Sequence, residues 1–440
     1  MTLACQTITQ GLNPLPDPTP AHPPAADMPV QLEIFEELCG IVDEEYLYED
    51  FNGADWGATC EEYRQRVENG LSEEAFYLAM DKMIQSLGDD HSVFLSPEQV
   101  AEEEAELAGN LDYVGIGILV SAVPERGRAV ILLTFPGSPA EQAGIQSHDS
   151  ILAVDGEPIL DEDDLMRDTL RGPEGTTVTI TLQSPGEVPR DLVVSRQRIS
   201  GSIPVPYRVV ATSTGKRIGY ILLVTFSDGT VASQVGDALK DMTREAPLDG
   251  LIIDNRLNEG GVDIMLKDTL AYFVDGAVGY FISRDDERSL KVNGEDVGGS
   301  QEMPLVVLVG LDTISYGEVF AGVLKDLDRA YLIGEATEGN VETLWGYDFQ
   351  GGSRAWIAHD SFRPLNRPAQ DWEQTGIIPH LTVAANWDEV TFETDPVIQA
   401  AVAYLERGDR EGADLQTRTP AFVCVFVPHS GCPMLYFGSG

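Results

Sequence analysis

The chain has 440 residues, a formal net charge of −45 and 43% hydrophobic residues. That length exceeds one small core and suits about two to four domains. So large an acidic excess argues against nucleic acid, because phosphate binding needs a basic face. No apolar run approaches the roughly 20 residues that a bilayer-spanning helix requires. Five cysteines occur, none in a CxxC pair, so a zinc site is not expected from them.

Residues 1–29 read as a flexible tether, the stretch 11–29 being rich in proline and polar residues. Leu3-Ala4-Cys5 is similar to the end of a bacterial lipoprotein signal, although the charged and apolar parts that normally precede such an end are missing. Cys5 is then either a lipidation site behind a longer signal or part of an ordinary N-terminus. The first alternative places the protein in the cell envelope or outside the cell, with a lipid tether to the membrane.

Residues 30–108 read as an N-terminal helical domain. Leu32, Ile34, Phe35, Leu38, Ile41 and Val42 recur at helical spacing within 30–49. Residues 56–67 and 72–87 continue as helices, the second beginning at Ser72-Glu73-Glu74. A turn follows, S-L-G-D-D-H-S-V-F-L-S-P, and it holds His91. The acidic run 98–107 reads as a solvated helix or lid.

Residues 109–200 change texture. Strand-like runs at 115–120, 129–133, 151–154, 177–182 and 191–194 alternate with turn signals, with short helices expected at 139–143 and 161–170. Tyr113-Val114-Gly115-Ile116-Gly117 and the block P-G-S-P-A-E-Q-A-G-I-Q-S-H-D-S-I-L-A-V-D-G-E-P-I resemble a PDZ domain. The resemblance implies that Tyr113, Val114, Gly115, Ile116 and Gly117 bind the end of a peptide, which adds as a strand to a sheet edge. His148, within the turn, reads as a surface residue.

Residues 201–407 alternate strand and helix, the pattern of an α/β core with parallel pairing. Strands are expected at 218–226, 251–254, 305–309 and 331–333, and helices at 230–242, 263–273 and 318–327. Further strands are expected at 354–359 and 381–384, and a last helix at 395–407. Residues 408–440 form a tail without a clear pattern. Two strand-to-helix turns carry chemistry. In L-I-I-D-N-R-L-N-E-G-G, Gly260 and Gly261 let backbone N–H groups face a ligand, or simply make the turn. In V-V-L-V-G-L-D-T-I-S-Y-G-E, Ser315 stands at a helix mouth, where it is either an N-cap, the commoner role, or a nucleophile beside free amides.

Taken together, D-D-H-S, the PDZ block, D-N-R-L-N-E-G-G, S-Y-G-E-V-F-A-G, I-G-E-A-T-E-G and G-I-I-P-H-L-T-V resemble the C-terminal processing (tail-specific) serine peptidase family. The resemblance implies an α/β fold: a crotonase/ClpP-like core, an N-terminal helical segment and an inserted PDZ domain. It implies a serine endopeptidase without metal or cofactor, acting on protein or peptide substrates with accessible C-termini. Ser315 falls at the family's nucleophile, and the amides of Tyr316 and of Gly260 or Gly261 at its oxyanion hole. One departure matters. Many members place a lysine base where this chain has Asn340, and an amide is no general base. The tricorn-like branch uses a histidine before the PDZ domain and a glutamate before the G-[IV]-x-P strand, which correspond to His91 and Glu373. The expected arrangement is therefore Ser315 as nucleophile, His91 as base and Glu373 as orienting carboxylate, with Glu342 a competing orienter. The alternative is an inactive peptidase scaffold that binds peptides through its PDZ domain.

Overall fold

A computed structural model describes residues 28–89 and 91–407. Cys5, the proposed tether and the 408–440 tail lie outside the described residues. Among those described, no helix is long and apolar enough to cross a membrane.

The core is a six-stranded sheet. Arg217–Leu222, Gly250–Asp254, Leu305–Val309, Tyr331–Gly334 and Leu381–Thr382 run parallel in that order, and Tyr207–Ala211 pairs antiparallel at one edge. The central strands are buried at every position because both faces are covered, and apolar throughout save Asp254, which pairs with Arg256. Alternate side chains go to opposite faces. Leu251, Ile253, Leu305, Val307 and Val309 meet the helices Val231–Thr243, Asp263–Leu270 and Tyr316–Asp326. Ile252, Val306, Leu308 and Ile333 meet the helix Pro396–Arg407 and apolar residues of the PDZ-like segment.

A second sheet joins Val93–Leu95, Arg354–Pro364, Gly276–Ile282 and Glu287–Val292, with Thr343–Asp348 also paired to Arg354–Pro364. The Gly276–Ile282/Glu287–Val292 hairpin and Thr343–Asp348 were not anticipated from the sequence. Helices Met28–Glu45, Trp56–Glu68 and Glu73–Gln85 share one apolar cluster with this sheet, in which Phe35, Leu38, Tyr63, Met80 and Met83 join Phe94 and Ile357 of its strands. A disulfide between Cys39 and Cys60 ties the first two helices together. The two cysteines are 21 residues apart in sequence, and no spacing motif marks them as partners.

Leu111–Gly115 pairs with Gln197–Gly201, closing the base of the inserted segment. Between them lies an antiparallel sheet of Ile118–Val123, Arg128–Thr134, Ser150–Val154, Thr177–Gln183 and Arg190–Ser195, with Ile118–Val123 at its edge. The helix expected at 161–170 does not form. Asp161 Oδ1 accepts the amides of Asp163 and Leu165 at 2.9 Å each, and Asp164 adopts φ 63. A short acidic side chain has captured the backbone in a turn that competes with the helix.

The surface reading of His148 is also corrected. Its side chain is buried, its Nδ1 lies 2.8 Å from the Trp387 carbonyl, and its ring stacks on Trp387 with centroids 3.9 Å apart. Arg126 and Arg128 bind Asp388 beside it. The inserted segment is thus fastened to the loop before the last helix.

Candidate active site

The site begins with two turns locked together. Asn258 donates from Nδ2 to Asn255 Oδ1 at 2.9 Å and accepts the Gly260 amide at 3.0 Å. Asn255 donates to the Gly317 carbonyl at 2.9 Å, and the Ile314 amide donates to the Asn258 carbonyl at 2.9 Å. A Cβ on Gly317 would lie 2.3 Å from that same carbonyl oxygen, so only glycine permits this approach. Asn255 was not singled out from the sequence. The only hint it offers is its place directly after a buried strand.

Ser315 is at the N-cap position of the Tyr316–Asp326 helix, with φ 54 and ψ −126, and its side chain makes no capping hydrogen bond. A serine in this region of φ is strained, and the hydrogen bonds just described hold it there. The cap reading of Ser315 therefore finds no support in its geometry. Gly260 lies against it: a Cβ built there would be 2.8 Å from Ser315 Cβ, 3.1 Å from Ser315 Oγ and 3.0 Å from the Tyr316 amide nitrogen. The Gly260 amide is taken by Asn258. Among the described residues, no acceptor takes the amide of Gly261 or of Tyr316.

His91 comes from the turn that opens the second sheet. Asp89 shapes that turn by accepting the amides of His91 at 3.0 Å and Ser92 at 2.5 Å, while its other oxygen accepts the Tyr46 hydroxyl at 2.7 Å. Ser92 Oγ accepts the Ala358 amide at 3.0 Å, which ties the turn to the sheet. His91 Nε2 lies 3.9 Å from Glu342 Oε2. The other Glu342 oxygen accepts a short hydrogen bond from the Tyr48 hydroxyl. Glu373 Oε2 accepts the Val341 amide at 2.7 Å, and burial raises the pKa of its carboxyl. One ligand atom each from His91, Glu342 and Glu373 fall within 4.8 Å of one another, a set that could also hold a cation. The structure thus gathers His91 and both glutamates. It puts Glu342 against the imidazole and gives Glu373 the backbone that carries Glu342.

Glu318, in the first turn of the Tyr316–Asp326 helix, reaches out of that helix. It is fully buried, and its Oε1 accepts the Thr337 hydroxyl at 2.5 Å and the Gly339 amide at 3.0 Å. Burial pushes its pKa up to about 7. It pins the loop bearing Asn340. Lys325 is committed elsewhere, donating to the Ile378 carbonyl at 2.6 Å. Of the proposed peptide-binding residues, Tyr113, Val114 and Gly115 are in the strand paired with Gln197–Gly201. Ile116 is buried, and Gly117, at φ 80, leads into the edge strand.

Three segments match known families: residues 217–383 match peptidase family S41, residues 31–85 the tricorn protease C1 domain, and residues 136–184 the PDZ domain. A carboxyl-terminal-processing protease of Synechocystis sp. is 33% identical over 380 residues, spanning 84% of this chain and 85% of that protein. The chloroplastic carboxyl-terminal-processing peptidase 3 of Arabidopsis thaliana is 28% identical over 389 residues, spanning 84% of this chain and 72% of its own. Among solved structures, a photosystem II D1 C-terminal processing protease superposes with a TM-score of 0.55 at 26% identity, covering 80% of this chain and 92% of its own.

Proposed function

The chain belongs to the carboxyl-terminal-processing serine peptidases of family S41, and on that footing we propose that it cleaves proteins through Ser315 with His91 as base. Ser315 Oγ attacks the scissile carbonyl carbon while His91 takes the hydroxyl proton. The amides of Gly261 and Tyr316 hold the developing oxyanion. Collapse of the tetrahedral intermediate breaks the C–N bond, and His91 returns the proton to the leaving amine. Water, activated by the same imidazole, then hydrolyses the acyl-enzyme. Glu342 stabilises the imidazolium, and Glu373 holds the 341–342 backbone that aims Glu342. The edge strand Ile118–Val123 offers a place for a substrate C-terminus to add to the PDZ sheet.

The strained, uncapped Ser315 carries this reading, because a serine kept in that geometry serves no helix-capping purpose. Fluorophosphonate labelling of the wild type, with none in Ser315→Ala and strongly slowed labelling in His91→Ala, is the expected result. Asn340, at the position of the family's usual lysine, favours a second reading: a peptide-binding scaffold without activity. Equal labelling and equal hydrolysis of an unfolded protein by wild type and Ser315→Ala would favour that reading instead.

We place the protein in an oxidising compartment, the cell envelope or beyond, with Cys5 as a lipid anchor. The Cys39–Cys60 disulfide supports the compartment, since such bonds persist outside the reducing cytosol. Palmitate labelling that survives Cys5→Ala would remove the anchor.

A further inference from the structure

Asn255 is the hub of the two locked turns, and each of its polar groups is used. Its backbone amide donates to the Leu308 carbonyl at 3.0 Å, and its carbonyl accepts the Thr313 hydroxyl at 2.9 Å. Its side chain donates to the Gly317 carbonyl and accepts from Asn258. Such a side chain aims its partners only while its own backbone is fixed. The residues on either side fix it. Arg256 donates from Nε to Asp254 Oδ1 at 2.8 Å and from Nη2 to Asp254 Oδ2 at 2.6 Å, a two-pronged bond that spans Asn255. A bond between residues two apart leaves the backbone between them little freedom to turn.

This clamp is out of water: Asp254 is fully buried and Arg256 nearly so. Arg256 Nη2 also lies 2.7 Å from Asp395 Oδ2, and Asp254 Oδ2 accepts the Tyr220 hydroxyl at 2.8 Å. Burial disfavours the charge on Asp254, but Arg256 and the Tyr220 hydroxyl hold its carboxyl below the usual range. Three buried charges are a poor source of stability, because desolvation opposes their mutual attraction and apolar residues of similar volume often pack as well. What the arrangement does supply is direction. A guanidinium presents its donors in a rigid plane, and this one lies over the Trp387 ring, 5.3 Å from its centroid. The arginine stem is confined as well, since a Cβ built on Gly310, just past the strand Leu305–Val309, would stand 3.5 Å from Arg256 Cβ.

We propose that Arg256 is a positioning residue for the oxyanion site: its fork on Asp254 sets Asn255, and Asn255 sets the Gly260–Gly261 turn against Ser315 and Tyr316. This rests on the peptidase reading given above. The last link runs through Asn258, which donates to Asn255 Oδ1 and accepts the Gly260 amide. Lysine at this position would keep the charge but bring one ammonium on a flexible stem, with neither the fork nor the stacking face.

The test compares Arg256→Lys with the wild type on one peptide substrate. kcat should fall roughly ten- to hundredfold, the scale of a site displaced by about an ångström, while KM changes by less than about threefold. Asp395→Asn, which leaves the fork on Asp254 in place, should cost less than about threefold in kcat. An unchanged kcat in Arg256→Lys, or an equal loss in Asp395→Asn, would overturn the assignment. Hydrogen exchange needs no turnover and is measured with and without Arg256→Lys in a Ser315→Ala background. The amides of Gly260 and Ile314, both bonded to Asn258, should exchange faster in Arg256→Lys, and those of Ile252 and Ile253 in the preceding strand should not. Such local loosening supports the assignment even if the wild type proves inactive. Exchange that is unchanged, or that rises equally in turn and strand, rejects it even if the wild type cleaves.

Discussion

His91 Nε2 stands 3.9 Å from Glu342 Oε2, and the two side chains are 5% and 3% exposed. An imidazole that becomes charged during catalysis gains most from a carboxylate in such a water-poor place. Glu342→Gln should therefore lower kcat by roughly 10²-fold or more while KM changes little, the pattern of a lost transition-state interaction. Tyr48→Phe, which removes the hydroxyl bound to Glu342, should have a smaller effect in the same direction. Steady-state kinetics on one peptide with both variants checks this. An unchanged kcat in Glu342→Gln would return the orienting role to Glu373.

Gly260→Ala tests the contact between the two turns. Gly260 adopts φ 89, and a methyl group there would press on Ser315 and on the Tyr316 amide. The expected cost is about 1–3 kcal/mol of stability from the strained φ and the forced shift. Activity should fall much further than stability, because the methyl group occupies the space between nucleophile and oxyanion donors. Thermal melts and active-site labelling, measured together, separate the two effects.

The parallel core was legible because its strands are continuous apolar runs, such as Leu305–Val309, and its helices keep a period near 3.6. Ser315 and His91 were picked out by local motif. The hydrogen bond from Asn255 to Gly317 was not, because these residues are 62 apart in sequence and meet only after the sheet forms. The hairpin Gly276–Ile282/Glu287–Val292 was missed for a similar reason, its first strand being defined by pairing with Arg354–Pro364 as much as by its own pattern. The failed helix at 161–170 shows a local rule overriding periodicity, since the Asp161 turn bonds compete directly with helical ones.

Glu318 should make stability depend on pH. Its folded pKa of about 7 is above the ordinary 4.5, so the folded state holds a proton that the unfolded chain releases between those values. The contribution is complete below pH 4.5 and is lost as pH rises through 7. Glu318→Gln cannot titrate, yet its amide oxygen can still accept from Thr337 and Gly339. Urea unfolding at pH 5 and pH 8 should show a smaller difference in the variant than in the wild type. An equal difference would mean that other groups govern this range.

The Cys39–Cys60 bond closes a segment separated by 21 residues and joins two helices that pack on the second sheet. Constraint of the unfolded chain by a loop of this size is worth about 3 kcal/mol. Replacing both cysteines by serine should lower the urea midpoint accordingly, and reductant should lower the wild-type midpoint toward that of the variant without further affecting the variant.

His148 gives the fastening of the inserted segment its own pH response. Burial lowers its pKa, and Arg256 nearby adds to the effect, while the Trp387 carbonyl and the carboxylates of Asp254 and Asp395 oppose it. A histidine harder to protonate when folded leaves stability intact above its ordinary value of 6.5 and costs stability as pH falls below it. His359 acts with the opposite sign. Burial disfavours its charge, but Asp360 and Glu45 raise its pKa overall, so its contribution is present below 6.5 and lost as pH rises through the raised value. The wild-type curve therefore sums opposing terms, those of Glu318 and His359 against that of His148, and the difference between wild type and His148→Asn isolates the last of them. Asparagine tolerates the φ of 77 at this position and does not titrate. The variant should be less stable than the wild type at pH 8, where it lacks the stack on Trp387, and this gap should narrow at pH 5. Hydrogen exchange across 386–389 should follow the same pattern, rising in the wild type as the pH is lowered from 7 to 5 after correction for intrinsic rates. If the gap is the same at both pH values, His148 holds the loop by packing alone.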